Sequence, residues 1–178
     1  MIPRLVKACS VLNKHWDIYS MPGAEITHAP LGEIAPLVRY ARRLGAMVVV
    51  VHGETISEPV IKGTNACAID AGCDILAHPG LITAKDAKLA KKNGTFLEIT
   101  SRKSHMGSNR HVVNTARSAG AGLILNNDAH MGDNLISKEE ALRLLSGLGC
   151  NKVEIGYIFR NSEYIVESVQ KVRNKKAK

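Results

Sequence analysis

The feature that most constrains the fold of this chain is a repeated alternation of two patterns. Short runs of β-branched and aliphatic residues have strand length, and they alternate with longer segments whose apolar residues recur at helical spacing. Strands joined through helices pair in parallel, because each connection must cross back over the sheet. The strand runs are continuously apolar, which is typical of strands covered on both faces. The sequence therefore predicts an α/β fold of parallel βα repeats.

The same alternation predicts where the elements lie. The predicted strands cover residues 18–25, 46–52, 74–78, 95–100 and 122–126. The predicted helices cover residues 3–14, 33–44, 64–71, 83–92 and 108–119, a segment beginning at Ser137, and the chain from Asn151 onward with a turn near Asn161. No linker or low-complexity segment interrupts the repeats. Residues 1–178 are therefore predicted to form one domain, with a disordered basic tail at 173–178.

Polar side chains stand at the C-terminal ends of the predicted strands. They are Glu25, His52, His78, Glu98 and Asp128, at intervals of 27, 26, 20 and 30 residues, and His130 follows two positions after Asp128. In a parallel barrel these strand ends share one face, and that face carries the active site. Imidazole and carboxylate groups are ligands for zinc, manganese or iron. A single histidine at a strand end is more often structural, but the aligned set favours a metal site.

Other residues near these strand ends are secondary candidates. Arg102, Lys103 and His105 form a cationic loop after the fourth predicted strand, which predicts phosphate or substrate binding, with a solvated loop as the alternative. His28 and Glu54 are candidates for hydrogen bonding to the metal ligands without binding the metal, and a purely structural role stays open for His28.

The composition of the chain indicates which chemical classes of partner it can bind. The net charge of +8 and the sequence pI of about 9.5 favour anionic partners such as phosphorylated small molecules. Much of this charge lies in the tail and in a lysine cluster at residues 85–92, without interleaved aromatic residues, so nucleic acid is possible but not favoured. No apolar run has membrane-spanning length. Four cysteines without a CxxC pair predict packed thiols and a cytoplasmic location.

Several catalytic motifs are absent from the sequence. There is no GxSxG turn, no GxGxxG loop and no Walker A sequence, which argues against serine hydrolases, dinucleotide enzymes and P-loop nucleotide hydrolases.

Four short motifs occur in order on consecutive predicted strands. They are PGAE at residues 22–25, VHGE at 51–54, AHPG at 77–80 and NDAH at 127–130. Together, over residues 3–165, they resemble the polymerase and histidinol phosphatase (PHP) family of metallohydrolases. The resemblance implies a distorted TIM-like barrel of seven βα units, a three-metal site and phosphoester hydrolysis by metal-activated water.

The resemblance also implies roles for individual residues. Glu25 would bridge two metal ions, and His52 and His78 would complete the second metal site. Asp128 would bind the first metal ion and His130 the third, and this pair would carry catalysis. His130 or a metal-bound water would then handle the protons.

The chain departs from the family pattern at its N-terminal end. The HxH motif, the histidine of an SDG-type loop and the TDH strand are missing, so about two barrel strands and four histidine ligands are not present. This predicts one to three metal sites, of which the second is the most complete, together with an open sheet edge and self-association. A longer natural protein, a truncated remnant and completion by another subunit are the alternatives.

Two functions from different classes follow. The first is a metal-dependent phosphoesterase similar to histidinol phosphatase, acting on a phosphorylated small molecule. The alternative is a non-catalytic scaffold of the same fold that binds nucleic acid or a protein partner, and an inactive remnant is a third reading.

Overall fold

A computed structural model describes residues 1–176 and contains one parallel sheet. Its strands β1 to β5 are Gly23–Ile26, Val48–His52, Ile75–Ala77, Phe96–Thr100 and Leu123–Asn126. Their order in the sheet is the order along the chain, and every neighbouring pair is parallel. The predicted α/β class and the alternation of helices with parallel strands are confirmed. Five consecutive parallel strands are compatible with a fragment of a TIM-like barrel.

Seven α-helices accompany the strands in the described part of the chain. Helices α1 to α7 are Ile2–His15, Leu31–Arg43, Thr64–Asp70, Ala84–Asn93, Asn109–Ala119, Lys138–Gly147 and Lys152–Lys176. The start of α6 has the capping box that its sequence predicts, since Ser137 accepts a hydrogen bond from the Glu140 amide and Glu140 accepts one from the Ser137 amide. Within residues 1–176, no helix has both the length and the hydropathy to cross a bilayer.

The predicted turn near Asn161 is wrong, because α7 is continuous through that position. The Asn161 side-chain amide donates a hydrogen bond to the carbonyl of Leu123, with 2.7 Å between the heavy atoms. The polar residue therefore anchors the helix to β5 instead of ending it. Helix α7 extends to Lys176, so part of the predicted basic tail is helical, while residues 177 and 178 lie outside the described residues.

Strand β1 begins at Gly23, five residues later than the sequence pattern predicts. The reason is a local polar contact between Asn13 and Ser20. The Ser20 amide donates to Asn13 Oδ1 at 2.6 Å, and Asn13 Nδ2 donates to the Ser20 carbonyl at 2.9 Å. These bonds satisfy the Ser20 backbone outside the sheet, and the apolar residues Ile18 and Tyr19 stay exposed.

The main core lies between the outer face of the sheet and the helices that connect its strands. Val49, Val51, Leu76 and Leu97 point to this face and are buried. Their helical partners are Ile34, Val38, Ala68, Ile69, Ala87, Ala90, Val112 and Ala116. Small residues on the helices let the backbones approach the sheet closely, so a chain with few aromatic residues still packs a dense core.

The inner face of the sheet is covered by α7. Val48 and Val50 alternate with the outer valines of β2, and they pack with Ile75, Ile124 and Ile165. Because Ile165 belongs to α7, this helix covers side chains that would point into the interior of a closed barrel. The alternation along each strand places Glu25, His52 and Glu98 on this inner face as well.

Strand β1 forms one edge of the sheet, since it pairs only with β2. A groove beside it is lined by apolar side chains of α1, β1 and α2, among them Ile2, Leu5, Leu37 and Tyr40. Self-association through this edge stays a prediction.

Two neighbouring loops at the C-terminal end of the sheet are packed against each other through glycines. A Cβ at Gly80, whose φ is +60°, would lie 1.9 Å from the Glu54 carbonyl oxygen, and one at Gly53 would lie 2.5 Å from that of Ala77. The Asn65 amide joins both loops, accepting from the Glu54 amide and donating to the Pro79 carbonyl. The glycines of VHGE and AHPG thus hold His52 and His78 side by side.

We expect Gly80→Ala to destabilise the protein by more than about 3 kcal/mol, because it adds a backbone clash to a left-handed conformation. Gly94→Ala is the matched control, since Gly94 has a φ of +73° but nothing within 4 Å of an added Cβ. That variant should lose only about 1–2 kcal/mol. Urea denaturation measures both, and equal losses would contradict the contact between the loops.

Candidate metal centre

Three buried histidines meet at the C-terminal end of the sheet. His52 ends β2, His78 follows β3, and His105 lies in the loop between β4 and α5. Each offers one ring nitrogen, and these nitrogens lie within 4.8 Å of one another. The His78 ring stacks on His105 with 4.3 Å between centroids and meets His52 edge-on at 4.4 Å. Three elements distant in sequence therefore converge on one point.

Hydrogen bonds at Nδ1 fix the orientation of all three rings. Nδ1 of His52 lies 3.0 Å from the Gly53 carbonyl oxygen, and Nδ1 of His78 lies 3.0 Å from Glu98 Oε2. Nδ1 of His105 lies 2.8 Å from Ser57 Oγ. An acceptor at Nδ1 selects the tautomer with its proton there, which leaves the Nε2 lone pair of His52 and His78 free.

The Nε2 atoms of His52 and His78 are buried, and within the described residues neither has a hydrogen-bond partner. An unsatisfied buried polar group costs about 1–3 kcal/mol, so two together are unusual. Burial, followed by the charge of His78, lowers the pKa of His52. Burial, with His78 again the next cause, also lowers the pKa of His105. The neutral, ligand-competent forms of His52 and His105 are therefore favoured near neutral pH.

Glu98 is the buried carboxylate that positions His78. Its Oε2 accepts hydrogen bonds from the His78 backbone amide at 2.9 Å and from Nδ1, and its Oε1 accepts one from Asn126 Nδ2 at 2.8 Å. A carboxylate behind a ligating histidine fixes the ring and raises its basicity. The sequence predicts that Glu98 lies at a strand end but does not predict a role for it. Its side chain points to the inner face of the sheet, as the alternation along β4 requires.

A polar cavity of about 120 Å³ opens in front of the histidines. It is lined by Glu25, Thr27, His52, Glu58, His78, Arg102, His105, Asp128 and His130. Ligand pockets for drug-sized molecules measure about 300–1,000 Å³, so this cavity suits an ion and a small reacting group.

Arg102 and Asp128 form an ion pair at the mouth of this cavity. Arg102 Nε lies 3.4 Å from Asp128 Oδ2, and the guanidinium also donates to the Asp128 carbonyl and contacts His130 Nδ1. Asp128 Oδ2 lies 3.9 Å from His105 Nε2. His130 is exposed at the rim, so it borders the cavity but stands apart from the three-histidine cluster.

Of two other residues proposed from the sequence, Glu25 lines the cavity, and His28 contacts the cavity-lining Glu58. Glu25 lines it from edge strand β1, where the residue keeps solvent contact. Partial desolvation there, offset by the charge of His78, raises the pKa of Glu25. His28 is exposed, and its Nε2 lies 3.4 Å from Glu58 Oε1.

Besides His28, two sequence candidates do not line the cavity. Glu54 Oε1 accepts hydrogen bonds from the amides of Gly63 and Asn65, so Glu54 binds the start of α3. Lys103 is exposed on the loop beside Arg102. His105, proposed from the sequence as a phosphate ligand, joins the histidine cluster instead. Glu58 was not recognised from the sequence, and its position six residues after His52, in the same strand-end loop, is the signal that could have found it.

Three residues other than glycine have positive φ in the described chain, and all three are at this end of the sheet. They are His28 at 53°, His78 at 30° and Asp128 at 47°. Such conformations cost on the order of 1–3 kcal/mol each and tend to cluster at functional sites. The strain supports a functional reading of the strand-end motifs.

The cysteines take no part in this site. Cys73 and Cys150 are buried and Cys9 and Cys67 are half-buried, all as free thiols. Burial, followed by the charge of Asp74, raises the pKa of the Cys73 thiol to about 12. A thiol with such a pKa is a packing residue, as the sequence predicts.

Fold and site together define a parallel βα protein with a three-histidine candidate metal centre. No model of a known protein family matches the sequence. An uncharacterized protein of Methanocaldococcus jannaschii is 41% identical over 157 residues, which are 87% of this chain and 72% of that protein. The chain belongs to the same family as this archaeal protein.

Solved structures show the same fold at low sequence identity. A chain in the structure of archaeal ribonuclease P with mature tRNA matches 97% of this chain and 78% of its own length, with a TM-score of 0.79 and 14% identity. An amidohydrolase matches 94% of this chain but only 46% of its own length, with a TM-score of 0.64 and 15% identity. At these identities the likeness concerns the fold alone.

We expect the chelator-treated protein to lose stability as the pH falls below about 6.5. The pKa values of His52 and His105 are lowered in the folded state, so the unfolded chain binds more protons below its own histidine pKa. The contribution of these two histidines to the free energy of unfolding is therefore full above pH 6.5, and it is lost as the pH falls towards their pKa values in the folded state. Urea denaturation at pH 7.5 and 5.5 measures the slope.

The control for this slope is His15→Gln, because His15 is exposed at the end of α1. His52→Gln should flatten the pH dependence, whereas His15→Gln should leave it unchanged. An equal slope in wild type and His52→Gln would contradict the lowered pKa of His52.

Proposed function

We propose that this protein is a metal-dependent phosphoesterase of the polymerase and histidinol phosphatase type. The observation that carries the proposal is the pair of buried, unpartnered Nε2 atoms of His52 and His78, directed with His105 at a small polar cavity. Imidazole nitrogen suits zinc, manganese or iron, and such a site offsets the cost of the unpaired nitrogens. The strand-end motifs PGAE, VHGE, AHPG and NDAH support the family assignment.

His52, His78 and His105 would hold a divalent ion, and Asp128 and Glu25 offer carboxylates at the same cavity for further ions. When bound, such an ion supplies Lewis acidity and activates water for attack on phosphorus near neutral pH. The histidines contribute oriented ring nitrogens, because Gly53, Glu98 and Ser57 hold their opposite nitrogens.

Arg102 would bind the phosphate group at the mouth of the cavity. Its guanidinium is rigid and can present two donors to two phosphate oxygens. Its ion pair with Asp128 keeps it directed at the cavity. His130 contacts Arg102 and is exposed, and it would give a proton to the leaving group on the solvent side. The remainder of a phosphorylated substrate would lie outside the cavity.

The second candidate function is a non-catalytic scaffold that binds nucleic acid. It is favoured by the likeness to a ribonuclease P chain over 97% of this chain, and by the net charge of +8. Binding nucleic acid does not require two buried histidine nitrogens without hydrogen-bond partners. The phosphoesterase is therefore the preferred proposal. Salt-dependent tRNA binding with no bound metal would favour the scaffold.

We expect the purified protein to bind about one zinc or manganese ion per chain at the three-histidine cluster and to hydrolyse p-nitrophenyl phosphate. His52→Ala and His78→Ala should lower both the metal content and the turnover at least tenfold, because each removes a ligand. His15→Ala is the control with an exposed histidine. Elemental analysis and absorbance assays measure both, and wild-type protein without metal or turnover would contradict the proposal.

Arg102→Ala should separate phosphate binding from metal binding. We expect kcat/KM for p-nitrophenyl phosphate to fall about 10²-fold or more, with unchanged metal content, since the Arg102 side chain lines the cavity and bonds to Asp128 and not to a ring of the cluster. Arg143→Ala, on the exposed side of α6, is the matched control. Lys103→Ala tests whether the exposed neighbour shares this role, and a larger loss there than in Arg102→Ala would assign the phosphate to Lys103.

A further inference from the structure

The loop between β2 and α3 crosses the open side of the histidine cluster and carries one carboxylate towards it. Glu58 Oε2 lies 3.8 Å from His52 Nε2 and 3.9 Å from His105 Nε2. Its side chain is 50% exposed, whereas both imidazoles are buried. The carboxylate therefore stands between the buried nitrogens and the solvent.

These separations are too long for hydrogen bonds but suit two ligands of one cation. Ligand bonds of about 2.0–2.2 Å place two donor atoms on the same ion between roughly 3 and 4 Å apart, depending on the angle. The nitrogen of His52 facing Glu58 is one of the two buried atoms without a partner. An ion bound by the three histidines would have Glu58 on its solvent side.

The same loop also contacts His105 at the opposite ring nitrogen, Nδ1. Thr55 Oγ1 and Ser57 Oγ lie 3.1 Å and 2.8 Å from His105 Nδ1, so the segment that presents Glu58 also orients this ring. The loop ends are fixed, since a Cβ at Gly53 would clash with the Ala77 carbonyl and Gly63 is the N-cap of α3 with a φ of +99°. Ile56, Ser57 and Glu58 between them are exposed.

We propose that Glu58 is the fourth protein ligand of a divalent cation held by His52, His78 and His105. This inference rests on the proposed metal site and adds a residue that the strand-end motifs do not contain. Because Glu58 stands on an exposed loop while the histidines stand on buried backbone, it is the ligand that a phosphate oxygen can displace. His52, His78, His105 and Glu58 would thus hold the ion, and Glu58 would give way to an entering anion.

The test measures zinc affinity of the full chain by competition with a chromogenic chelator. We expect Glu58→Gln to raise the zinc Kd at least about tenfold, because an amide is a weaker ligand. Glu58→Asp should raise it as well, since the shorter side chain keeps the charge but not the reach. Glu163→Gln, an exposed glutamate of α7, is the matched control and should bind as wild type does.

Cobalt provides a second readout that distinguishes a ligand from a nearby charge. Loading with Co²⁺ should give wild type the strong visible absorption of a four-coordinate tetrahedral site, and Glu58→Gln should change its intensity and position. Adding inorganic phosphate should displace the Glu58 carboxylate from the ion. The spectrum of the wild-type protein with phosphate should therefore approach the spectrum of Glu58→Gln with phosphate.

The possible results separate this inference from the proposed function. If Glu58→Gln and Glu58→Asp bind zinc within twofold of wild type while His52→Ala does not bind it, the metal site stands and Glu58 is not a ligand. A Kd raised in Glu58→Gln but unchanged in Glu58→Asp would assign an electrostatic effect and overturn the inference. If wild type binds no zinc, the proposed metal site itself fails.

Discussion

The site depends on one interaction, the orientation of the imidazole rings by hydrogen-bond acceptors at Nδ1. Glu98 holds His78, the Gly53 carbonyl holds His52, and the unpartnered Nε2 atoms of these two rings are left directed at the cavity. Each acceptor lies on a strand or directly after one, so the parallel sheet positions the rings rigidly. The loop contact through Gly80 then sets the spacing between the strand ends that carry His52 and His78.

Much of the fold could be predicted from the sequence, because the alternation of aliphatic runs and helical segments reports burial directly. The pattern placed the bounds of the strands after the first to within two residues. The start of β1 and the continuity of α7 were not predicted correctly. Both depend on hydrogen bonds outside the regular elements, from Asn13 to Ser20 and from Asn161 to Leu123. Residue types that usually end a helix or sit in a loop do so only when no such partner is available.

The site was predictable in part for a similar reason. His52 ends β2 and His78 directly follows β3, so both stand at the C-terminal edge of the parallel sheet, which the order of strands and helices in the sequence locates. His105 lies five residues after β4, and Glu58 six after β2, in loops whose paths no periodic pattern fixes. Both reach the cavity because Thr55 and Ser57 bind the His105 ring across the two loops. A contact between irregular segments carries no sequence signature of its own.

The most direct measurement of the central claim is an anomalous difference map from a crystal of the protein soaked with Zn²⁺ and measured at the zinc edge. The three-histidine site predicts a peak bounded by ring nitrogens of His52, His78 and His105, with Nδ1 of His78 still bonded to Glu98. A map with no peak at this cluster, or with zinc bound only elsewhere on the surface, would contradict a metal centre built on these histidines.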